Sequence, residues 1–348
     1  MKISFLLLLF TLTTLINNRL YAQNHDSLLV AFWNLENLFD TKDDPDNNDE
    51  QFLPDGDREW TNERLDQKLF KLARVIRSMN NYYGADILGV CEVEHQSVLE
   101  LLTSKFLSDI NYKIAYLESP DNRGIDNGLI YNADKFFELS VSGDTVHLAD
   151  DWPTRLILKV KLLTKWNDTL SVYVNHWPSR SRGRELSEPN RINAAETVRK
   201  SVDKEFSNNP NAKIVIIGDF NDEPSNISIH NYLKALKLDC KLPDSISIVN
   251  SSDLYNISYS TYNDSLGTYL YKGDWNMLDQ IILSGNLIIN PELKYICNSF
   301  EIYKPHYLVT QSGNYKGAAF PTFGGRNYLG GYSDHFPVVA KFFVGKHQ

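Results

Sequence analysis

The sequence lacks several features that would set it apart from ordinary globular proteins. It contains no low-complexity tract and no internal repeat at the period of a solenoid. No stretch rich in Pro, Gly and Ser divides it into separate units. Cysteine is scarce, and Cys91, Cys240 and Cys297 permit at most one disulfide. Cys91 lies in an apolar stretch and is expected to be a buried thiol, and a bond between Cys240 and Cys297 is left open.

Net positive charge is also missing. Acidic residues outnumber basic residues by 44 to 35, which gives a formal charge of −9. A protein of this charge has no broad positive field with which to hold nucleic acid non-specifically. This weakens the case for an enzyme that grips duplex DNA, but it leaves room for a nuclease that uses a local basic patch.

The N-terminus has the pattern of a secretory signal peptide. Lys2 precedes an apolar run, and the small residue Ala22 follows a polar stretch. The continuous apolar core is too short for a convincing membrane span. We therefore predict a signal peptide over residues 1–22, a secreted or periplasmic location, and one catalytic domain over 23–348. Leu20 stands where a small residue is preferred, so an uncleaved N-terminal anchor is the alternative.

Hydrophobic periodicity predicts both strands and helices. Helices are predicted over 64–79, 96–104, 185–206 and 227–238. Strands are predicted over 28–32, 85–90, 112–117, 127–132, 136–142, 155–163, 170–175, 213–218, 278–284 and 336–344. Because the helices are few and several strands follow one another directly, strict βαβ repetition fails. The pattern predicts an α/β fold of two packed mixed sheets flanked by helices.

Four short polar segments close predicted strands or stand at the turn before one. They contain Asn34, Glu92, Asp219 with Asn221, and Asp334 with His335. Carboxylates and amides at strand ends suit a hard divalent cation, which takes oxygen ligands. The histidine adds a group that can change its protonation near neutral pH. Together these residue types indicate metal-assisted attack of water on a phosphoester.

In the order of these motifs the chain resembles the endonuclease/exonuclease/phosphatase superfamily, which has the DNase I-like fold, and in particular an exported bacterial-type member. The resemblance spans residues 28–344, and it includes a late strand with Asp279 and a middle strand that ends at His176. It implies a four-layer sandwich of two mixed β-sheets flanked by helices. The polar residues are then expected to meet at one edge of the sheets.

The resemblance also implies roles for these residues. One carboxylate holds the divalent metal, Mg²⁺ or else Mn²⁺ or Ca²⁺, while another positions or deprotonates the attacking water. Two histidines lie on opposite sides of the phosphate, and a carboxylate fixes the tautomer of the later one. The division of acid and base between them is left open. The expected metal ligands are Asn34, Glu92 and Asp334, and the expected catalytic residues are His176, Asp219, Asn221, Asp279 and His335.

Three further predictions rest on single features. Glu36 follows Asn34 by two residues, where a second metal carboxylate can stand. Asp126 is a candidate to orient His176. A run of arginines after His176 suggests a phosphate clamp, and the alternative is a solvated loop. These arginines are Arg180, Arg182 and Arg184.

The predicted function is exported, divalent-metal-dependent hydrolysis of phosphodiester bonds by activated water. A nuclease comes first, because an arginine-rich loop in an exported enzyme suits an extended polyanion such as nucleic acid. The alternative is a phosphodiesterase or phosphatase that acts on a small or lipid phosphate, as sphingomyelinases do. A third hypothesis is a binding module that keeps the fold without catalysis. No stable protein partner is expected, and the chain is predicted to be a monomer.

Overall fold

Strands make up most of the regular structure. The computed structural model describes residues 27–149, 151–238, 240, 248–262 and 265–345, so the predicted signal peptide lies outside the described residues. The strands are β1 (Ser27–Leu38), β2 (Ile87–Val93), β3 (Tyr112–Tyr116), β4 (Asp126–Asn132), β5 (Phe136–Asp144), β6 (Ile157–Thr164), β7 (Thr169–His176), β8 (Lys213–Asp219), β9 (Ala235–Lys237), β10 (Leu254–Asn256), β11 (Tyr269–Tyr271), β12 (Asp274–Asn276), β13 (Asp279–Ser284), β14 (Leu293–Tyr295), β15 (Glu301–Ile302), β16 (Phe323–Gly324), β17 (Asn327–Tyr328) and β18 (Val338–Val344). The α-helices are α1 (Asn62–Ser78), α2 (Gln96–Leu101), α3 (Arg184–Asn208) and α4 (Asn286–Ile289).

The strands form two seven-stranded sheets and two small hairpins. The first sheet has the order β14-β18-β1-β2-β4-β3, with β15 also paired to β18, and the second has the order β5-β6-β7-β8-β13-β10-β9. In the first sheet, β1 runs antiparallel to β18 and parallel to β2. In the second, β8 runs parallel to β7 and antiparallel to β13. The predicted α/β fold of two mixed sheets flanked by helices is confirmed.

The two sheets pack against each other through β1 and β2 on one side and β7 and β8 on the other. Alternation along β8 places Val215 and Ile217 in the large core shared with the first sheet, whereas Ile214 and Ile216 join a second core under α3. The sheets approach closely at Gly89 in β2, where a Cβ atom would lie 2.6 Å from Ile217 Cδ1. A side chain there would push the sheets apart, so this contact favours glycine.

The helix α1 begins where the sequence supplies a cap. The Thr61 hydroxyl accepts a hydrogen bond from the Arg64 amide, which satisfies one of the free donors of the first turn. Leu69, Leu72 and Ile76 recur at three- and four-residue spacing and are fully buried. They give α1 one apolar face that packs into the large core.

One predicted helix is wrong. Over 227–238 the chain makes a single helical turn, Ser228–Tyr232, and then forms the strand β9. Lys234 between them has a φ of 59°, a left-handed conformation that ends the turn. The strand pairs in parallel with β10. The backbone groups of β9 are therefore satisfied by β10, which lies beyond the stretch over which the helical pattern was read.

Two of the three cysteines form a disulfide, and the third is a free thiol. Cys240 and Cys297 form a disulfide, with Cα atoms 5.6 Å apart. Cys91 is a buried free thiol, as expected. Among the described residues, no helix combines the length and the apolar character that crossing a membrane requires.

Candidate active site

The register of the second sheet brings three polar strand ends side by side. His176, which ends β7, is paired in register with Asp219, which ends β8, and Asp219 is paired in turn with Asp279 at the start of β13. The first sheet contributes Asn34 from β1 and Glu92 from β2. Strand pairing alone therefore assembles a polar cluster from distant parts of the sequence.

Asp219 lies at the centre of this cluster and is buried. Its Oδ1 atom accepts a hydrogen bond of 2.9 Å from the Asn221 amide, and Oδ2 accepts one of 3.1 Å from Asn34 Nδ2. The Nε2 atoms of His176 and His335 each lie 3.9 Å from Oδ2. These distances are too long for direct hydrogen bonds and suit an intervening small molecule. Burial raises the pKa of Asp219 to about 6, although its hydrogen bonds and the charge of His335 oppose this.

His335 is held in one orientation by three contacts. Its Nδ1 lies 2.7 Å from Asp279 Oδ2, its carbonyl oxygen accepts a hydrogen bond of 2.9 Å from Trp33 Nε1, and its amide donates to Ser333 Oγ at 3.0 Å. Burial by itself lowers the pKa of His335, but the carboxylates of Asp279 and Asp219 outweigh burial and hold that pKa well above its ordinary value. These two carboxylates therefore favour the charged form of the His335 imidazole.

The second histidine, His176, is favoured in its neutral form. Burial, together with the positive charges of Arg155 and Arg123, holds the pKa of His176 well below its ordinary value. Its Nε2 lies 3.8 Å from Glu92 Oε1, and its Nδ1 has no hydrogen-bond partner in the described part of the chain. A neutral imidazole and a charged one thus face Asp219 together.

Asn34 orients two carboxylates. Its Nδ2 donates to Glu92 Oε1 at 3.2 Å as well as to Asp219, while its Oδ1 accepts the Glu36 amide at 2.9 Å. Because the amide nitrogen and not the oxygen faces the carboxylates, this arrangement does not provide the metal-ligand role predicted for Asn34. Glu92 also accepts the Asn37 amide at 2.9 Å and has a φ of 59°. Non-glycine residues in this left-handed region are concentrated at functional sites.

Glu36 has a structural role in addition to the metal-ligand role predicted for it, which stays a prediction. Both of its carboxylate oxygens accept backbone amides, from Thr322 at 2.6 Å and from Phe323 at 2.9 Å. Lys68 lies 4.0 Å from the Glu36 carboxylate and also donates to the Thr322 hydroxyl. Through these contacts Glu36 anchors the segment that leads to the C-terminal strand.

Asp334 and Glu92 lie close enough for their charges to interact, and their predicted role as metal ligands stays a prediction. Burial, with the neighbouring Glu36 and Glu92 carboxylates, raises the pKa of Asp334 to about 8. A cation among these oxygens would remove the repulsion between them, and oxygen donors are the ligands that Mg²⁺ and Ca²⁺ take. The donor set therefore fits a divalent metal of this kind.

A further group of candidate ligands lies beside them. One ligand atom from each of Asp219, Asp279 and His335 falls within 4.8 Å of the others. Two of these residues already contact each other through the 2.7 Å pair between Asp279 and His335. We therefore interpret this group as a proton-transfer unit and not as the metal site.

The Arg180 guanidinium bonds to other residues of the protein, and its phosphate-binding role stays a prediction. Its Nε donates to the Asn221 carbonyl at 2.6 Å and its Nη1 to Asn276 Oδ1 at 3.0 Å. Its Nη2 donates to Asp222 Oδ1 at 3.2 Å and to Asn226 Oδ1 at 3.1 Å. The guanidinium is therefore occupied in holding the turn that carries Asn221.

The neighbouring arginines differ from one another. Arg182 and Arg184 are exposed, and their phosphate-binding role stays a prediction. Arg191 is fully buried, and its Nε forms an ion pair with Asp222 Oδ2 at 2.8 Å. Arg191 is therefore part of the scaffold behind the site.

The suggestion that Asp126 orients His176 is wrong. Asp126 Oδ2 accepts the Tyr116 hydroxyl at 2.8 Å, and Oδ1 accepts the Ser119 amide at 2.9 Å. These bonds link the ends of β3 and β4 and direct the carboxylate away from the cluster. His176 is instead positioned by its place at the end of β7.

One residue of the site escaped the sequence analysis. The ring of Tyr269 stacks on His335, with centroids 4.6 Å apart and planes at 23°. Burial and the nearby Asp334 and Asp219 carboxylates raise the pKa of Tyr269, which keeps its hydroxyl neutral. Tyr269 lies in β11, a three-residue strand too short to give a periodic signal.

Comparison with protein families gives a match over nearly the whole chain. The sequence model of the endonuclease/exonuclease/phosphatase family matches residues 29–344. The chain belongs to the endonuclease/exonuclease/phosphatase family. Membership confirms the resemblance inferred from the motifs and makes the protein an enzyme of the phosphoesterase type. The exported bacterial-type qualifier stays a prediction. A search of curated proteins found no match.

Solved structures of the family share its fold. An endonuclease/exonuclease/phosphatase family protein from Bacteroides thetaiotaomicron aligns with a TM-score of 0.55 and 15% identity over 93% of this chain and 100% of that one. A mannosyl-6-phosphatase from the same species aligns with a TM-score of 0.53 and 16% identity over 90% and 99%. D. rerio TDP2 complexed with single strand DNA product aligns with a TM-score of 0.51 and 14% identity over 91% and 99%.

Proposed function

We propose that this family member is a divalent-metal-dependent phosphoesterase that cleaves its substrate by attack of water at the cluster around Asp219. The observation that carries the proposal is the pair of 3.9 Å distances from Asp219 Oδ2 to the imidazoles of His176 and His335. A proton acceptor and two imidazoles around one small space can receive a water molecule and a phosphoryl group together.

The proton transfers follow from the charge states of the three residues. Asp219, with a pKa of about 6, is ionised at neutral pH and accepts a proton as the water oxygen bonds to phosphorus. The bond from phosphorus to the leaving oxygen breaks, and that oxygen takes a proton from charged His335. Neutral His176 donates a hydrogen bond to a phosphoryl oxygen. Asn221 supports Asp219 through its 2.9 Å amide hydrogen bond.

The metal complements these residues. When bound, it supplies positive charge that polarises a phosphoryl oxygen and neutralises charge in the transition state. Glu92 and Asp334 would hold it. Asn34 keeps Glu92 in place through the 3.2 Å bond to Oε1.

The substrate is best sought among small organic phosphates. The contacts of Arg180 remove part of the argument for an extended polyanion, and the chain has a formal charge of −9. A nuclease is the second candidate, supported by the exposure of Arg182 and Arg184. Among similar structures, one is a mannosyl-6-phosphatase and another holds a single-stranded DNA product, so the fold accommodates both classes.

A substrate screen tests this proposal. Purified protein with Mg²⁺ is incubated with bis-p-nitrophenyl phosphate, sugar and nucleoside phosphomonoesters, sphingomyelin, RNA and DNA, with EDTA and the His335→Ala variant as controls. We expect turnover of a small phosphoester that both controls abolish. Turnover of DNA or RNA alone would favour the nuclease. Binding without turnover of any phosphoester, by folded protein, would favour the non-catalytic module.

We also propose that the protein is exported and monomeric. The Cys240–Cys297 disulfide supports export, because such bonds persist mainly in oxidising compartments. N-terminal sequencing of secreted or periplasmic protein is expected to give Gln23 as the first residue. Met1 on protein from a membrane fraction would support the anchor instead. Light scattering coupled to size exclusion is expected to give the mass of a single chain.

A further inference from the structure

A cavity of about 360 Å³ outside the Asp219 cluster has a lining unlike the rest of this acidic chain. Two arginines, Arg123 and Arg155, line it with one carboxylate, Asp121. The carboxylate is shared, since Asp121 Oδ2 lies 2.9 Å from Arg155 Nη1 and Oδ1 lies 3.6 Å from Arg123 Nε. The lining therefore keeps an excess of positive charge, which favours an anionic ligand.

Arg155 supplies an independent indication of a ligand. Its side chain is only 8% exposed, and its Nε has no hydrogen-bond partner in the described part of the chain. Its other nitrogens are engaged with Asp121 and with the Trp177 carbonyl. A buried guanidinium N–H without an acceptor is costly, and an oxygen atom of a ligand in the cavity would supply the acceptor.

The cavity adjoins the reaction centre. Pro178, which lines it, stands two residues beyond His176. The carbonyl oxygen of Trp177 accepts hydrogen bonds from Arg155 Nη2 at 2.9 Å and from Asn221 Nδ2 at 3.0 Å. Trp177 thus connects Arg155 in the cavity wall to Asn221 in the turn that supports Asp219. A substrate whose reacting phosphate contacts His176 can extend into it.

The remaining wall suits a ring. Trp152 lines the cavity with 54% of its surface exposed, and Leu148 and Leu186 line the cavity as well. An exposed indole offers a face for stacking a base or the apolar face of a sugar. At about 360 Å³ the cavity is near the lower end of the range for ligand pockets. This size fits one ring with its phosphate and not a length of polymer.

We propose that this cavity binds a second phosphate of the substrate together with the sugar or base ring that carries it. The inference rests on the proposed function and names the substrate class: an organic phosphoester with a second phosphate one ring away from the reacting one. Arg123 binds the second phosphate, Arg155 donates its free N–H to it, and Trp152 stacks on the ring.

Binding in EDTA tests the cavity without any turnover. The probes are adenosine 5′-monophosphate, glucose 6-phosphate, adenosine and inorganic phosphate. Their binding is measured by calorimetry and by the difference in fluorescence between wild type and Trp152→Phe. We expect a ring phosphate to bind more tightly than adenosine or phosphate, and Arg123→Gln to weaken it about tenfold. The control is Arg326→Gln, which removes another exposed arginine paired with an aspartate, Asp57 at 3.2 Å.

Each outcome decides something. A preference for adenosine 5′-monophosphate over glucose 6-phosphate identifies the ring as a base, and the reverse identifies a sugar. Equal binding of inorganic phosphate and the ring phosphates overturns the ring part of the proposal. Equal affinity of wild type and Arg123→Gln for every probe overturns the phosphate part.

Turnover then separates this inference from the proposed function. The readout is the ratio of kcat/KM for a 5′-phosphorylated dinucleotide or a sugar bisphosphate to kcat/KM for bis-p-nitrophenyl phosphate, which has no second phosphate. Arg123→Gln is expected to lower the ratio about tenfold, whereas Arg326→Gln keeps it. An unchanged ratio in Arg123→Gln contradicts the cavity proposal. Absence of any wild-type turnover would sink the proposed function, while the binding result would still decide the cavity.

Discussion

Two buried polar clusters lie next to each other at the edge of the second sheet, and they differ in how closely their charged groups approach each other. In one, Arg191 pairs with Asp222 at 2.8 Å and donates to Ser187 Oγ at 2.6 Å. In the other, Asp219 faces two imidazoles at 3.9 Å, and His176 Nδ1 has no partner among the described residues. Both clusters contain charge, but only the second leaves a gap between its charged groups that a small molecule can fill.

This difference separates the groups that hold the fold from the groups that do chemistry. A buried ion pair with close partners fixes the backbone around it, and removing one partner leaves a charge uncompensated. A buried group with unfilled bonding capacity reduces stability and is typical of a site that a substrate completes. The comparison predicts that substitutions in the two clusters have opposite effects on activity and stability.

The largest effect is expected for Asp219→Asn. Turnover should fall by about 10²–10⁴-fold, because an amide cannot accept the proton of the attacking water. Since the folded-state pKa of Asp219 is raised to about 6, ionisation destabilises the folded state as pH rises from about 4 to 6. Asn removes that cost, so metal-free protein at pH 7 should gain about 1 kcal/mol or more in urea unfolding. A variant that is both active and less stable would contradict the comparison.

Arg191→Met should do the reverse. Removing Arg191 leaves Asp222 with Arg180, 3.2 Å away, as its described cationic partner. We therefore expect a cost of about 3 kcal/mol in the free energy of unfolding, the lower end for breaking a buried pair. Turnover per folded molecule should fall much less than in Asp219→Asn, because Arg191 does not face the reaction centre. Urea titration and active-site-normalised rates check both statements. Full stability with lost turnover would place Arg191 in the chemistry.

Two glutamates at the end of β2 give a matched pair for the metal. Glu92→Gln should raise the Mg²⁺ concentration for half-maximal activity by at least about tenfold, because it removes a charged ligand. Burial raises the pKa of Glu94 to about 8, and its Oε2 accepts the Asp40 amide at 2.6 Å. A neutral Gln resembles that protonated acid, so Glu94→Gln should need nearly wild-type Mg²⁺. Equal shifts in the two variants would remove Glu92 from the metal site.

A smaller effect is expected on the pKa of His335. The Asp279 carboxylate 2.7 Å away helps to raise this pKa, so Asp279→Asn should lower it. The stability from this pair is present below about pH 6.5 and is lost as pH rises through the folded-state pKa. NMR titration of the metal-free imidazole measures the change, and an unchanged value would show that Asp279 does not tune it.

The strands that carry the site were predictable from the sequence, and the partners of several side chains were not. Continuous apolar runs reveal β7, β8 and β13, because strands covered on both faces need them. The contact of Arg180 with Asn276 was not predictable, because this acceptor lies 96 residues away. The same holds for Glu36, which accepts the amide of Thr322, 286 residues later. Such long-range hydrogen bonds leave no local pattern.

The central claim, that the cluster around Asp219 performs the proton transfers, is tested most directly by a double-mutant cycle on turnover. Asp279→Asn, His335→Ala and the double variant are compared with wild type in Mg²⁺, using a poor leaving group, after folding has been verified. The account predicts losses of about 10²-fold or more that are similar in all three, because the two residues act as one unit. Losses that multiply in the double variant, or near-wild-type turnover in His335→Ala, would contradict it.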